Sequence, residues 1–159
     1  MIRLATVDDL DSLVEIFEGA KVFMWSVGNL DQWTGGYPAR EDLLEDIHKN
    51  HLYVMDDGEI YGAFALVEEP EPTYAYIDGA WANDGPYLTI HRLAKISGRR
   101  GVFKEAVDFA IKKCPCVRVD THRDNLPMQG AIVNYGFIYR GKIYLKNGDE
   151  RLAYDYVKI

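Results

Sequence analysis

Apolar and polar positions along the chain fall into two periods. A short β-type run at residues 2–5 leads to Thr6, a helix cap, with Asp8 and Asp9 set against the positive end of the helix dipole. Leu10, Leu13, Val14, Phe17 and Met24 then keep a helical spacing. The stretch GNLDQWTGGYP breaks it, with Gly35, Gly36 and Pro38 as loop residues. AREDLLEDIHKN predicts a second, shorter helix with Leu43, Leu44 and Ile47 on one face. HLYVMDDGEIYGAFALVEE predicts a hairpin that turns at Asp57-Gly58. A loop follows, with a short strand over residues 74–77.

YLTIHRLAKI predicts a strand over residues 87–96, SGRRG a turn, and VFKEAVDFAIKK a helix burying Val102, Phe103, Ala106, Val107 and Ala110. CVRVDTH reads as a strand. LPMQGAIVNY reads as a helix with Met128, Ala131 and Ile132 inward. GFIYRGKIYL and RLAYDYVKI read as strands around Asn147-Gly148. The order β-α-α-β-β-β-α-β-α-β-β joins a hairpin meander to one βαβ unit, from Tyr87 to His122. It predicts an α/β (α+β) fold: a mixed, mostly antiparallel central sheet with one parallel pair, and helices on both faces. No repeat, low-complexity stretch or linker divides residues 1–159, so one domain is expected.

Charge narrows the function. The net charge of −7 and pI near 5.0 argue against a nucleic-acid surface and favour cationic small molecules. MIRLATVDDLDSL has no apolar core of a signal peptide, and no run approaches the roughly 18 apolar residues of a membrane span. Cys114 and Cys116, around Pro115, are too close for a good disulfide and too few for zinc. A cytoplasmic protein with reduced cysteines is expected.

SGRRGVF follows a strand and opens a helix, where free N–H groups bind phosphate without a side chain. Gly98 and Gly101 allow close backbone approach, and Arg99 and Arg100 add charge suited to phosphates. The alternative is a solvated basic turn that only caps a helix.

IHRLA, a Gly-containing turn, a helix, VDTHRDNLPMQ and NYGFIYRG, in that order, resemble bacterial members of the GNAT superfamily of acyl-CoA-dependent N-acetyltransferases. The resemblance spans essentially the whole chain and is strongest from Tyr87 to Gly141. It implies that the strands flanking the phosphate turn splay apart, with the pantetheine arm of acetyl-CoA between them. Backbone groups of Leu93, Ala94 and Lys95 would pair with that arm and polarise the thioester carbonyl. Gly98, Arg99, Arg100, Gly101, Val102 and Phe103 would hold the phosphates. Asn125 and Met128 would contact the arm, Asn125 also serving as a helix cap. The chain departs from the family pattern twice. That pattern is Gln or Arg, two residues, Gly, one residue, then Gly or Ala; here Gly98 takes the first place and Phe103 the last. The usual acid, a Tyr four residues before the Gly of GF, is Ile132.

His91 is the candidate base, placed by strand alternation with Leu93 and Lys95. Tyr139, with Tyr144 or water as alternatives, is the candidate acid. Each Tyr has sheet packing as its alternative, and each His a structural hydrogen bond. Asp120 and Arg123 read as local charge pairing. No metal is expected, since His91, His122 and Asp120 lack dense ligand spacing. For the acceptor, Trp33, Tyr37 and Trp81 offer aromatic faces to an ammonium, with core packing as the alternative. Trp25, Asp31, Asp78 and Asp84 are weaker candidates. The expected function is acetyl transfer from acetyl-CoA to a primary amine of a small molecule or peptide by direct attack. The alternatives are an acyl-CoA-binding protein of the same fold with little turnover, or a small dimeric interaction domain. A homodimer is compatible with any of them.

Overall fold

The computed structural model describes residues 1–159. Strand β1 (Ile2–Leu4) runs into a 3-10 turn (Val7–Asp9) and helix α1 (Leu10–Ser26). The Asp9 carboxylate accepts from the Thr6 N–H (2.8 Å) and from both Arg3 Nη atoms (2.8 and 2.9 Å). Helix α2 (Arg40–His48), the hairpin β2 (Leu52–Asp56) and β3 (Ile60–Val67), and a 3-10 turn (Pro72–Tyr74) follow. Then come β4 (Asp78–Gly79), β5 (Leu88–Lys95), α3 (Val102–Ile111), β6 (Cys116–Thr121), α4 (Leu126–Tyr135), β7 (Ile138–Tyr144) and β8 (Glu150–Val157). No helix is long and apolar enough to cross a membrane.

The strands form one sheet in the order β1-β2-β3-β5-β6-β8-β7-β4, antiparallel except for β5 and β6. Side-chain alternation divides the core between its faces. Leu52, Val54, Ala63 and Ala94 lie under Leu10, Leu13, Phe17, Leu43 and Ile47 of α1 and α2. Met55, Phe64, Leu66, Ile90, Val117 and Val119 lie under Val102, Phe103, Val107 and Ile132 of α3 and α4. Each Val, Leu, Ile, Phe or Met among them, fully buried, is worth about 1.5–3 kcal/mol relative to exposure.

The segment before β5 differs from the expected strand at residues 74–77. Pro72 starts a 3-10 turn instead, and the Glu71 carboxylate caps it from the Thr73 N–H (3.1 Å). Pairing begins only at Asp78 and Gly79, opposite Lys142 and Gly141. Backbones meet so closely there that a Cβ on Gly79 would lie 2.1 Å from the Arg140 carbonyl oxygen.

Two irregularities in β5 create the site. First, its parallel pairing with β6 is confined to Leu88 with Val117 and Thr89 with Arg118. Beyond Thr89, β5 stays with β3 as far as Lys95, and β6 stays with β8 as far as Thr121, so the two diverge. Second, Ala65 faces His91 and Ala63 faces Ala94, so Phe64 alone opposes both Arg92 and Leu93. Arg92 takes up the bulge at φ 49°, a conformation that costs a side-chain-bearing residue about 1–2 kcal/mol. Its guanidinium is held against Asp46 (2.7 and 2.9 Å) and the Tyr37 hydroxyl (2.9 Å). The bulge corrects the simple alternation: His91 shares a face with Ala94, not with Leu93 and Lys95.

The Asp9 cluster gives a stability prediction. Arg3 and the Thr6 N–H hold the Asp9 carboxyl down at about 2, below its ordinary 3.8. This stabilisation is complete above the unfolded value and is lost as pH falls through the folded one. Asp9→Asn should therefore cost about 1–2 kcal/mol near neutral pH. Urea unfolding from pH 6 to 3 checks it: wild-type stability should fall more steeply below about pH 4 than that of the variant.

Candidate active site

A groove of 1790 Å³ runs between α1 on one side and α3 and α4 on the other. Residues Leu93 through Lys104 line it without interruption, joined by Met24, Asn125, Met128 and Tyr135. Gly98 and Gly101 have φ of 80° and 79°, and a Cβ at either would meet nothing within 4 Å. These glycines therefore serve backbone shape, not crowding. The N–H groups of Gly98, Arg100 and Gly101 donate to no backbone acceptor. Those of Val102, Phe103 and Lys104 belong to the first turn of α3, and no side chain caps them. Six donors thus gather at the positive end of a helix, an arrangement that suits a pyrophosphate.

Phe103 does not close this turn. Its ring packs into the core against Phe137 (5.6 Å) and Tyr135 (6.3 Å), only 7% of the residue being exposed. Arg99 is engaged elsewhere, its guanidinium lying 3.7 Å from the centre of the Tyr61 ring and 3.2 Å from an Asp57 oxygen. Arg100 is exposed at the groove with no ion-pair partner.

The splay opens the inner end of the groove. Ile96 N–H donates to Tyr61 O (3.0 Å), so ladder alternation turns the amide groups of Ala94 toward β3. Those of Leu93 and Lys95 point into the gap. Across it, the Asn125 carboxamide caps α4 by accepting from Met128 N–H (3.2 Å) and donates to Gln32 Oε1 (2.9 Å).

A second pocket, of 250 Å³, adjoins the groove, and Met24, Leu93, Phe103, Asn125 and Met128 line both. Its wall carries His91, whose Nε2 lies 3.1 Å from Glu71 Oε1. The contact with His91, aided by the Thr73 N–H, holds the Glu71 carboxyl below its ordinary range. With Nε2 facing a carboxylate, the Nδ1 lone pair is left to take a proton. Tyr74, almost wholly buried, donates to Asp120 Oδ2 at 2.6 Å. Burial first, and then Asp120, push the Tyr74 hydroxyl well above its ordinary value, so it stays a donor. Trp33 and Tyr37 complete the aromatic side of the pocket. Their loop is pinned by buried Lys21, whose Nζ donates to Gly36 O and Pro38 O (both 3.1 Å).

An acetyltransferase of the GNAT family from Streptococcus agalactiae 2603 shares 32% identity with this chain, at a TM-score of 0.89, over 100% of this chain and 95% of its own. The chain belongs to the GNAT family. A protein from Staphylococcus aureus MU50 described as an acetyltransferase is 27% identical, at a TM-score of 0.71, over 99% and 98% of the two chains. At 12% identity, yncA from Salmonella typhimurium, solved with its cofactor acetyl-CoA, shares the fold at a TM-score of 0.65 over 99% and 92%. No protein-family model and no curated protein matches the sequence.

Among the expected site residues of this GNAT protein, His91, Trp33, Tyr37, Asn125, Met128 and the turn Gly98–Phe103 meet at the two cavities. Tyr139 does not join them. It lines neither cavity, is 49% exposed on β7 and packs edge-on against Tyr154. Tyr144 packs by Tyr76 instead. Trp81 is also outside, its Nε1 donating to Tyr74 O (3.1 Å) and its ring lying under Arg118. Ile132, at the usual acid position, is fully buried. Ligand atoms of His122 lie near those of Asp31 and Asp124, a group without His91 or Asp120. Glu71, Gln32, Tyr74 and Arg151 were not foreseen. Glu71 sits in PEPTY, where nothing but its place between two prolines sets it apart.

Proposed function

We propose that this GNAT protein transfers the acetyl group of acetyl-CoA to a primary amine of a small molecule or peptide by direct attack. The junction of the two cavities supports this reading. A helix N-terminus with free donors lies at one end of the groove, and the His91–Glu71 pair lies in the pocket at the other. The residues fit the cofactor: the glycines leave the turn open, Phe103 turns inward, and the unpaired edge of β5 faces the splay. The GNAT relative and the acetyl-CoA held by yncA support the same reading.

Acetyl-CoA, when bound, supplies a thioester whose acetyl group passes to the amine as the thiol departs. The turn Gly98–Lys104 binds the phosphates, with Arg100 as the cation free to join it. Leu93 and Lys95 orient the pantetheine arm, and the Leu93 N–H donates to the carbonyl oxygen. His91 takes the amine proton as the C–N bond forms, and Glu71, 3.1 Å from Nε2, orients the ring. Water takes the place of the missing tyrosine in protonating the leaving thiolate.

A second reading, ligand binding with little turnover, draws on Ile132. A panel of polyamines, aminosugars, amino acids and short peptides, incubated with acetyl-CoA and assayed for free CoA and acetylated product, separates the two. Turnover of at least one amine above the no-enzyme rate is expected. Acetyl-CoA binding with no product from any amine would favour the second reading.

A further inference from the structure

The smaller pocket holds a pair of opposite charges that the chain leaves apart. Arg151, on β8, lines the pocket and is only 5% exposed, yet no carboxylate lies within 4.0 Å of its guanidinium. Its bonds go to main-chain carbonyls: Nη1 to Glu150 O at 2.9 Å, and Nη2 to Gln32 O at a long 3.4 Å. Asp120, on the neighbouring strand β6, faces Ala153 and so shares a sheet face with Arg151. It accepts from Tyr74 but has no cationic partner. The other charges of the pocket are matched, Arg92 by Asp46 and Glu71 by His91.

A buried guanidinium without a carboxylate is costly, and a ligand carboxylate repays that cost with paired, charge-assisted hydrogen bonds. An adjacent carboxylate suits an ammonium in the same way. At 250 Å³ the pocket lies below the usual range for drug-sized ligands, which starts at ~300 Å³, and suits a small acceptor.

We infer that the acceptor is a free amino acid, its carboxylate held by Arg151 and its amino group directed by Asp120 toward His91. This rests on the acetyl-transfer reading above and narrows it to one substrate class. Arg151 is then a specificity residue, acting on the substrate and not on the reacting atoms.

The test pairs each of the common L-amino acids with its primary amide, which keeps the amine and removes the negative charge. Wild type should favour at least one acid over its amide by about 100-fold in kcat/KM. Arg151→Gln should reduce that preference to within about threefold, chiefly by raising KM, and Arg151→Lys should restore part of it. Amides consumed as well as acids by wild type would overturn the inference and leave acetyl transfer standing. If no amine is consumed, the transfer reading fails separately, and calorimetry with N-acetylglycine and N-acetylglycinamide on the CoA-saturated protein decides. Binding of the acid alone, lost in Arg151→Gln, keeps the carboxylate site. Equal binding of both probes, or of neither, removes it.

Discussion

Replacing His91 with Gln should lower kcat by about 10²–10⁴-fold, the usual worth of a positioned general base, while the acetyl-CoA dissociation constant moves by less than about twofold. The two effects separate because His91 lines the smaller pocket and not the groove. Gln retains a donor for Glu71, so the 3.1 Å contact and the local packing have a substitute. It cannot take a proton. Steady-state kinetics with the best amine of the panel, beside an acetyl-CoA titration, measures both quantities. Glu71→Gln should lie between wild type and the His91 variant, since the imidazole then keeps a hydrogen-bonding neighbour but loses the carboxylate that orients it. An unchanged kcat in His91→Gln would assign proton removal to water.

Gly101→Glu should weaken acetyl-CoA binding by at least about 100-fold. Gly101 is the N-cap of α3 and has φ of 79°. A carboxylate there would stand among the free N–H groups, compete for them, and repel a pyrophosphate. A Cβ at this position meets no protein atom within 4 Å, so the folding cost is confined to the left-handed backbone, about 1–2 kcal/mol. Gly101→Ala isolates that cost: it should bear the same strain and lose far less affinity. Calorimetric titration of both variants, with their melting temperatures, tells charge repulsion apart from misfolding.

The parts of the fold that depend on near neighbours were legible in the sequence. Helix α4 falls at Leu126–Tyr135, where LPMQGAIVNY places it, because Asn125 caps it, Pro127 fixes its first turn and Gly136 ends it at φ 116°. The hairpin at Asp57-Gly58 and the run from β5 through the turn to α3 follow from equally local signals. The parts that depend on distant partners were not. The bulge at Arg92 relies on Asp46, 46 residues earlier, and without it strand alternation assigns His91 to the wrong face. Glu71 reaches His91 only because a loop folds back over β5, and a glutamate in a loop carries no periodic signal. Arg151 looks like an ordinary strand residue until β8 inserts between β6 and β7 and brings it beside Asp120. The aromatics were the least informative. Trp33 and Tyr37 reach the pocket, but Trp81 supports Tyr74 from behind, and residue type alone does not separate those roles.

In the proposed site the turn Gly98–Lys104 and the splay beyond Thr89 together hold one acetyl-CoA. Calorimetric titration of acetyl-CoA into the unmodified protein tests it most directly. One binding event per chain is expected, with a dissociation constant well below ~1 mM, lost in Gly101→Glu. No heat of binding with ligand at ~1 mM, or equal binding to wild type and Gly101→Glu, would contradict it.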